Sequence, residues 1–553
     1  MTLTDIDVAD TLARPPRLPD WVTDIRPHQQ GAVDEIMEHY RSGTKVVFLD
    51  GPTGTGKTLI GEMVGRARAT DPETYGGGAR RSLYVCSDKQ LQDQFHRDFP
   101  YSRVLKGRAN YPTLDGGDGI TADDCTSQGG SQCMWCSDQG ACPYQVAKSN
   151  AIEADLAVVN TSYLLTEANL DPKVAKFSRQ PFIIADEADM LEGALLNAIQ
   201  YEVPQYVARD LRLQHPKKGV HKATLIAWLA GVEQAARQHL RDNSARLEVK
   251  QKRRWRSFAE ATSNLQFELA KDTEAEGDDD GRWIRDYDTK TFKMVPVLVG
   301  RYGPLKLWRH GHNWLLMSAT LISPDQMADE LGLPWDFETV TVPMTFPVEN
   351  RPIYLAGIAN VTWNADEYEY EKLADAVAAI CDRHPDERIL VHTVSYRLNG
   401  KLMGLLRERV HGRALMTYEN SQGKHDAIAR YRKQHAAVLL APSANRGVDL
   451  KDEDCRVMVI AKVPYPSFGD RRVAARTRLP GGQAWYAVQT VRDLVQMTGR
   501  GVRSEDDYAV TYVLDKQFMS NTWRRAKMLF PQWWRDAVDP SFNPRQLMRG
   551  RGE

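Results

Sequence analysis

The chain has 553 residues and no run of eighteen apolar ones, so no membrane-spanning helix is expected. Its opening stretch, MTLTDIDVADTLARPPRLPD, is acidic and proline-bearing, and it lacks the basic-then-apolar layout of a secretory signal. Cysteine is scarce, with seven in all. Scarce thiols without a secretory signal point to a reducing cytoplasm and away from a disulfide-stapled extracellular fold. There is no surplus of charge either: 72 Lys and Arg stand against 73 Asp and Glu, for a net charge of −1. Overall charge therefore gives no pull toward nucleic acid, and such a partner would have to be held by local basic patches. No internal repeat of fixed period is visible.

What is present is ordinary for a protein with sizeable cores: 42% hydrophobic and 26% charged residues. The length suggests about three to five compact units. Short apolar runs at 46–50, 83–86, 156–159, 182–185 and 314–317 alternate with helical stretches. A second series follows at 389–392, 414–416, 438–440, 457–460 and 509–514. Both read as buried parallel strands, which predicts two α/β units. The first unit would comprise 21–104, 151–194 and 301–345, and the second 346–540. Two insertions interrupt the first: a cysteine loop at 105–150 and a mostly helical stretch at 195–300. In the latter, Leu225, Trp228, Leu229, Val232 and Leu240 fall near one helical face. Residues 1–20 read as a flexible leader, 272–281 as a solvated turn, and 541–553 as a basic tail.

The motif GPTGTGKT follows the run VVFLD and precedes LIGEMVGRARA, giving strand, glycine loop and helix. Gly51, Gly56, Lys57 and Thr58 fit the G-x-x-x-x-G-K-[ST] pattern, with Thr53, Gly54 and Thr55 filling the loop. Glycines allow the tight turn that aims backbone N–H groups at phosphate, and the helix adds its positive dipole end. Lys57 would reach the β- and γ-phosphates of ATP, and the Thr58 hydroxyl would bind Mg²⁺. A second acidic strand end is supplied by FIIADEAD, which brings Asp186 and Glu187 to the carboxyl edge of the sheet. Asp186 would hold Mg²⁺, and Glu187 would orient and deprotonate the attacking water. In QMTGRGVRSEDD, Gln496, Arg500 and Arg503 stand where a second unit can enter the same cleft. The two arginines, three residues apart, would share a helical face and stabilise charge on the γ-phosphate.

Ordered segments along residues 24–520 resemble superfamily 2 helicases of the XPD/DinG type: IRPHQQ, GPTGTGKT, LYVCSDKQLQDQF, LKGRANY, a cysteine loop ending in CPY, DLAVVNTSYLL, DEAD, MSATL, RILVHTVSY, NRGVDL, KVPYP and QMTGRGVR. The resemblance implies two RecA-like motor domains, with an iron–sulfur insertion and a helical arch in the first. It implies an ATP-driven motor on single-stranded or forked DNA with 5′→3′ polarity, working as a monomer in a bacterial cytoplasm or encoded by a phage that acts there. Arg26 and Gln29 would then read the adenine side. Ser318, Ala319 and Thr320 would couple hydrolysis to DNA, and Asp449 would sit at the cleft. Three positions depart from the pattern: Asp189 stands where the family has the His of DEAH, Arg446 where an acidic residue is common before GVDL, and Thr113 where the first cluster cysteine follows NY.

Cys125, Cys133, Cys136 and Cys142 lie within eighteen residues, spaced C-x7-C-x2-C-x5-C. By ligand count, four thiolates suit Zn²⁺ or a [4Fe–4S] cluster equally. The closing CPY, the flanking LKGRANY and the place between the motor motifs favour the cluster, with Cys125 standing in for the ligand missing at Thr113. The other cysteines, Cys86, Cys381 and Cys455, sit in or beside apolar runs and read as core. The run KQKRRWRSF at 250–258 either tracks a phosphate backbone and stacks a base on Trp255, or is a solvated face with Trp255 packed inward. Lys106, Arg108 and Tyr111 either line the strand's entry or pack locally. Two other functions stay open: an RNA helicase or remodelling ATPase, which the DEAD spelling suggests, and a nucleotide-gated DNA clamp that does not travel.

Overall fold

The computed structural model describes residues 12–75, 80–125, 140–167, 175–216, 220–271, 283–287, 291–442, 452–499, 502 and 507–548. In the first half of the chain, β1 (Val46–Asp50), β2 (Ser82–Cys86), β3 (Arg103–Val104), β4 (Leu156–Asn160) and β5 (Gln180–Ala185) alternate with helices. A separate small antiparallel sheet follows, made of β6 (Tyr201–Val203), β7 (Trp283–Tyr287) and β8 (Phe292–Pro296) in the order β6-β8-β7. The chain then returns through β9 (Gly311–Ser318) and β10 (Phe337–Thr341) to complete a seven-stranded sheet, ordered β10-β1-β9-β5-β2-β4-β3. Every pairing in it is parallel.

The strand sequences explain why this sheet is covered on both faces. Val46, Phe48, Leu83, Val85, Ile183, Ala185, Trp314 and Leu316 pack into one apolar layer. Their chain neighbours Val47, Leu49, Tyr84, Phe182, Ile184, Leu315 and Met317 pack into another, with Leu59, Ile60 and Val64 of the helix Lys57–Thr70. Alternate residues are buried on opposite faces, so the strands read as continuous apolar runs.

A second, six-stranded sheet runs β11-β16-β15-β12-β14-β13, where β11 is Ile353–Ala359, β12 Ile389–His392, β13 Leu415–Met416, β14 Val438–Ala441, β15 Val457–Ile460 and β16 Val510–Asp515. It too is parallel throughout. The chain is thus α/β with two parallel-sheet lobes.

The helical stretch, the leader and the three remaining cysteines take these forms. The stretch after residue 195 is a helical hairpin, Lys222–Asp242 against Val249–Lys271, but it also carries the antiparallel sheet. Leu225, Leu229 and Val232 are buried there against Trp255, Phe258 and Phe292, while Trp228 and Leu240 pack at the margin. The described part of the leader is held in place. The Arg14 guanidinium bonds both carboxylate oxygens of buried Glu62 on the phosphate-loop helix, at 3.1 and 3.2 Å. Asp155 N–H donates to Leu12 O. Cys86, Cys381 and Cys455 are buried in the lobe cores.

Candidate nucleotide cleft

Strand order places the site. β9 lies between β1 and β5, with Asp50 in register with Ser318 and Ala185 with Leu316. The phosphate loop, the SAT segment and the DEAD segment therefore leave one sheet edge side by side, where open α/β sheets bind ligands. Gly54 and Gly56 have φ of +86° and +82°. A Cβ on Gly56 would come 2.3 Å from Gln29 Nε2, so that position needs glycine for space as well as conformation. Lys57 Nζ donates to Gly51 O at 2.8 Å and Pro52 O at 3.2 Å, which holds the ammonium over the loop. Gln29 is buried; its amide donates to Thr55 O at 3.1 Å and accepts from Arg26 N–H at 3.0 Å. In this arrangement Gln29 braces the loop. The loop's glycines, its ammonium and the helix start behind it suit a nucleoside triphosphate.

Asp186 follows β5. Its Oδ1 accepts from Glu187 N–H at 2.9 Å, and its Oδ2 accepts from the Tyr84 hydroxyl at 2.8 Å. Burial pushes its carboxyl up from the ordinary range, and the Lys57 charge opposes that. Thr58 and Asp186 are hard oxygen donors on adjacent elements, a set that suits Mg²⁺. Glu187 has φ 49°, a left-handed backbone that is strained for a residue with a Cβ.

The DEAD and SAT segments meet directly. Ser318 Oγ donates to Asp189 Oδ1 at 2.7 Å, and Thr320 N–H donates to Ser318 Oγ at 3.0 Å. Thr320 Oγ1 then donates across the cleft to Gln496 Oε1 at 3.2 Å, and Arg492 Nε donates to Thr320 O at 3.3 Å. The departure at Asp189 thus places a carboxylate where it receives the SAT serine. A methyl group placed on Gly499 would lie 3.9 Å from Thr53 Oγ1, so the second lobe abuts the phosphate loop. Arg500, Arg503, Asp449 and Arg446 lie outside the described residues.

Sequence reasoning missed three features. Tyr84 was read only as part of a strand. Asp50, at the end of β1, is raised to about 6 by burial, against the pull of Lys57. The third feature is an ionic cluster between the lobes. Glu192 Oε1 accepts from Arg472 Nη2 and Arg476 Nη1, each at 2.5 Å, and Arg476 Nη2 lies 3.2 Å from Glu330. The four-residue spacing of Arg472 and Arg476 on the helix Arg471–Arg476 was the available signal.

In the first basic stretch Trp255 packs inward, and charged residues of both stretches make local contacts. Trp255 is 2% exposed and stacks on His239 at 4.2 Å, so it offers no face to a base. Lys250 and Arg253 reach Gly119 O and Asp123 O, which ties the helical hairpin to the cysteine insertion. Lys106 pairs with Asp93, Arg108 covers Tyr144, and Tyr111 packs on Tyr144.

In the cysteine insertion, Cys133 and Cys136 lie outside the described residues. Cys125 and Cys142 are both buried, and Cys142 caps the helix Pro143–Glu153. Thr113 N–H bonds Ile120 O at 3.1 Å, and Pro112 pairs with Thr121, so the chain doubles back before Cys125.

Both halves of the chain resemble known proteins. Residues 377–537 match the family model described as Helicase C-terminal domain, and 23–206 the one described as Type III restriction enzyme, res subunit. The chain is 27% identical over 126 residues to a Regulator of telomere elongation helicase 1 homolog of Caenorhabditis elegans, covering 20% of this chain and 12% of that protein. It is 22% identical over 246 residues to a Fanconi anemia group J protein homolog of Gallus gallus, covering 37% and 19%. It therefore spans less than a fifth of these relatives. A solved structure titled XPD_Helicase superposes with TM-score 0.61 at 16% identity over 92% of this chain and 98% of that one. The structure of S. tokodaii Xpd4 does so with TM-score 0.56 at 13% identity over 93% and 99%. At such identities the structural likeness shows the fold alone. The chain is thus similar, over separate segments of its two lobes, to helicases of superfamily 2, and its fold is like that of the XPD structures.

Proposed function

We propose that the protein is an ATP-driven DNA helicase that moves 5′→3′ along a single strand and splits forked duplexes. The observation that carries this reading is the hydrogen-bonded path Asp189–Ser318–Thr320–Gln496, which joins the nucleotide edge of one lobe to the other. Lys57 would neutralise the β- and γ-phosphates, and Thr58 and Asp186 would hold Mg²⁺. When bound, Mg²⁺ neutralises charge developing between the β- and γ-phosphate oxygens. Glu187 would take the proton of the attacking water. Arg500 and Arg503 would enter from the second lobe, so that the cleft closes around ATP and opens after hydrolysis. Among the described residues no helix is long and apolar enough to cross a membrane.

The cysteine insertion would carry a [4Fe–4S] cluster on Cys125, Cys133, Cys136 and Cys142. The burial of Cys125 and Cys142 and the doubling back of 112–121 support this, because the detour lets Cys125 serve in place of Thr113. Bound there, the cluster would cross-link a segment with little apolar content of its own. Purified protein should be brown and contain iron and sulfide, and Cys136→Ser should remove the colour and weaken unwinding. Colourless protein containing zinc would replace the cluster with a zinc site.

Strand displacement on forked substrates with opposite overhangs tests activity and direction together. ATPase rates with single-stranded DNA, RNA or neither separate the alternatives. Stimulation by RNA alone would make the protein an RNA remodeller, and binding without displacement would make it a clamp.

A further inference from the structure

β15 ends at Ile460, and the chain leaves that sheet edge as AKVPYPSFGD before the helix Arg471–Arg476. Two aromatic residues of this segment stack on a third from the helix Gly482–Thr498. The Tyr465 and Tyr486 rings lie within 8° of parallel at 6.1 Å, centroid to centroid, and the Tyr486 and Phe468 rings within 20° at 5.1 Å. Offset stacking of this kind is a favoured arrangement of aromatic rings. The inner end is pinned. The Tyr465 hydroxyl donates to Gln517 O at 3.2 Å and lies 2.7 Å from the Thr522 hydroxyl. The outer ring sits at the tip of a tight turn, where Asp470 N–H donates to Ser467 O at 3.0 Å and Gly469 N–H to Ser467 Oγ at 3.2 Å. Phe468 is nevertheless 59% exposed. With one face against Tyr486, that exposure falls on the opposite face and the edge. The stack therefore ends in a flat ring, held in place and open to solvent.

Two neighbouring features suit a nucleic-acid strand. Thr522, at the inner end of the stack, is followed by the exposed Arg524 and Arg525, which offer positive charge to a phosphate backbone. Three residues past Phe468, Arg471 Nη1 donates to Arg285 O at 2.7 Å in the insertion's antiparallel sheet, and Arg472 pairs with Glu192 of the first lobe. The ring thus stands beside the seam where both lobes and the insertion meet. A platform of this kind accepts any base, because every base has a π-face.

We propose that Phe468 is a stacking platform for an unpaired base of single-stranded DNA, as the outermost ring of a ladder with Tyr486 and Tyr465. The inference rests on the single-strand reading under the proposed function. It adds a base contact, where the arginines offer only phosphate contacts.

Affinities of wild type and Phe468→Ala are measured by fluorescence anisotropy on two strands of equal length. One is oligo(dT), and the other carries tetrahydrofuran abasic residues in place of every nucleotide base. Phe468→Ala should bind oligo(dT) about fivefold or more weakly and bind the abasic strand as wild type does, with Phe468→Trp restoring the loss. Equal affinity of Phe468→Ala and wild type for oligo(dT) would overturn the proposal. So would an equal loss on both strands, because a residue that only shapes the protein does not sense the base. Wild-type protein that binds neither strand would instead remove the single-strand reading, and this proposal with it. If Phe468→Ala does not fold, Phe468→Leu carries the test. It keeps an apolar contact with Tyr486 but has no flat face, so it too should lose affinity for oligo(dT), and wild-type affinity would sink the proposal.

Discussion

Glu192→Gln should let the two lobes part. Glu192 lies three residues after Asp189, and its carboxylate receives two guanidinium groups from the other lobe at 2.5 Å each. The Arg472 and Arg476 side chains are only 11% and 5% exposed. Burial raises the Glu192 carboxyl, but Arg476 and Arg472 outweigh it and hold the group below its usual range. The contact is therefore charged at neutral pH, and it is lost only as pH falls through that lowered value. Removing one partner of a buried pair costs about 3–5 kcal/mol. Glu330, 3.2 Å from Arg476, can take up part of the abandoned charge, which favours the lower end. A loss of about 3 kcal/mol shifts an open–closed equilibrium by about a hundredfold. The assay is a distance distribution between labels at the exposed residues Glu73 and Glu453, without nucleotide. Wild type should give one compact population and Glu192→Gln a longer, broader one, with Glu192→Asp between them. A distribution identical to wild type in Glu192→Gln would show that the cluster does not hold the lobes.

Lys57→Ala should lower ATP turnover by about 10²–10³-fold or more while leaving thermal unfolding near wild type; normal turnover would refute the phosphate-loop assignment. Thr320→Val removes the hydroxyl that reaches Gln496, so ATP hydrolysis should persist while strand displacement per ATP falls. An unchanged ratio would mean that coupling runs elsewhere. Asp50 is raised to about 6 from an ordinary 3.8, so its ionisation in the folded state costs up to about 3 kcal/mol. Its contribution is favourable in acid and is lost as pH rises from about 4 through 6. Asp50→Asn should therefore gain stability relative to wild type between pH 5 and pH 8 in denaturant titrations, whereas a constant gap would contradict the burial argument.

How much of this was legible depended on whether the relevant physics is local. Strands buried on both faces announce themselves as apolar runs, and ten were readable in that way. β3 has only two residues, and β10 reads FETVT with one buried position, so neither leaves such a run. β6 to β8 pair antiparallel beneath helices and leave a similarly faint trace. The phosphate loop was legible because its glycines satisfy a local backbone demand. The ion cluster was not, since Glu192 and Arg476 are 284 positions apart and each alone looks like a solvated helix charge. Local pattern left Trp255 undecided, because a basic helix that docks on a neighbouring segment and one that tracks a phosphate chain share the same spelling. The cysteine loop lies between these cases. Cys125 stands twelve positions past Thr113, too far along the chain to be an obvious substitute. The Pro112–Thr121 pairing turns most of that interval into a side excursion, so under the proposed cluster Cys125 would stand after an insertion rather than as a displaced ligand. Spacing along a chain limits where a donor can stand only when the intervening residues run straight.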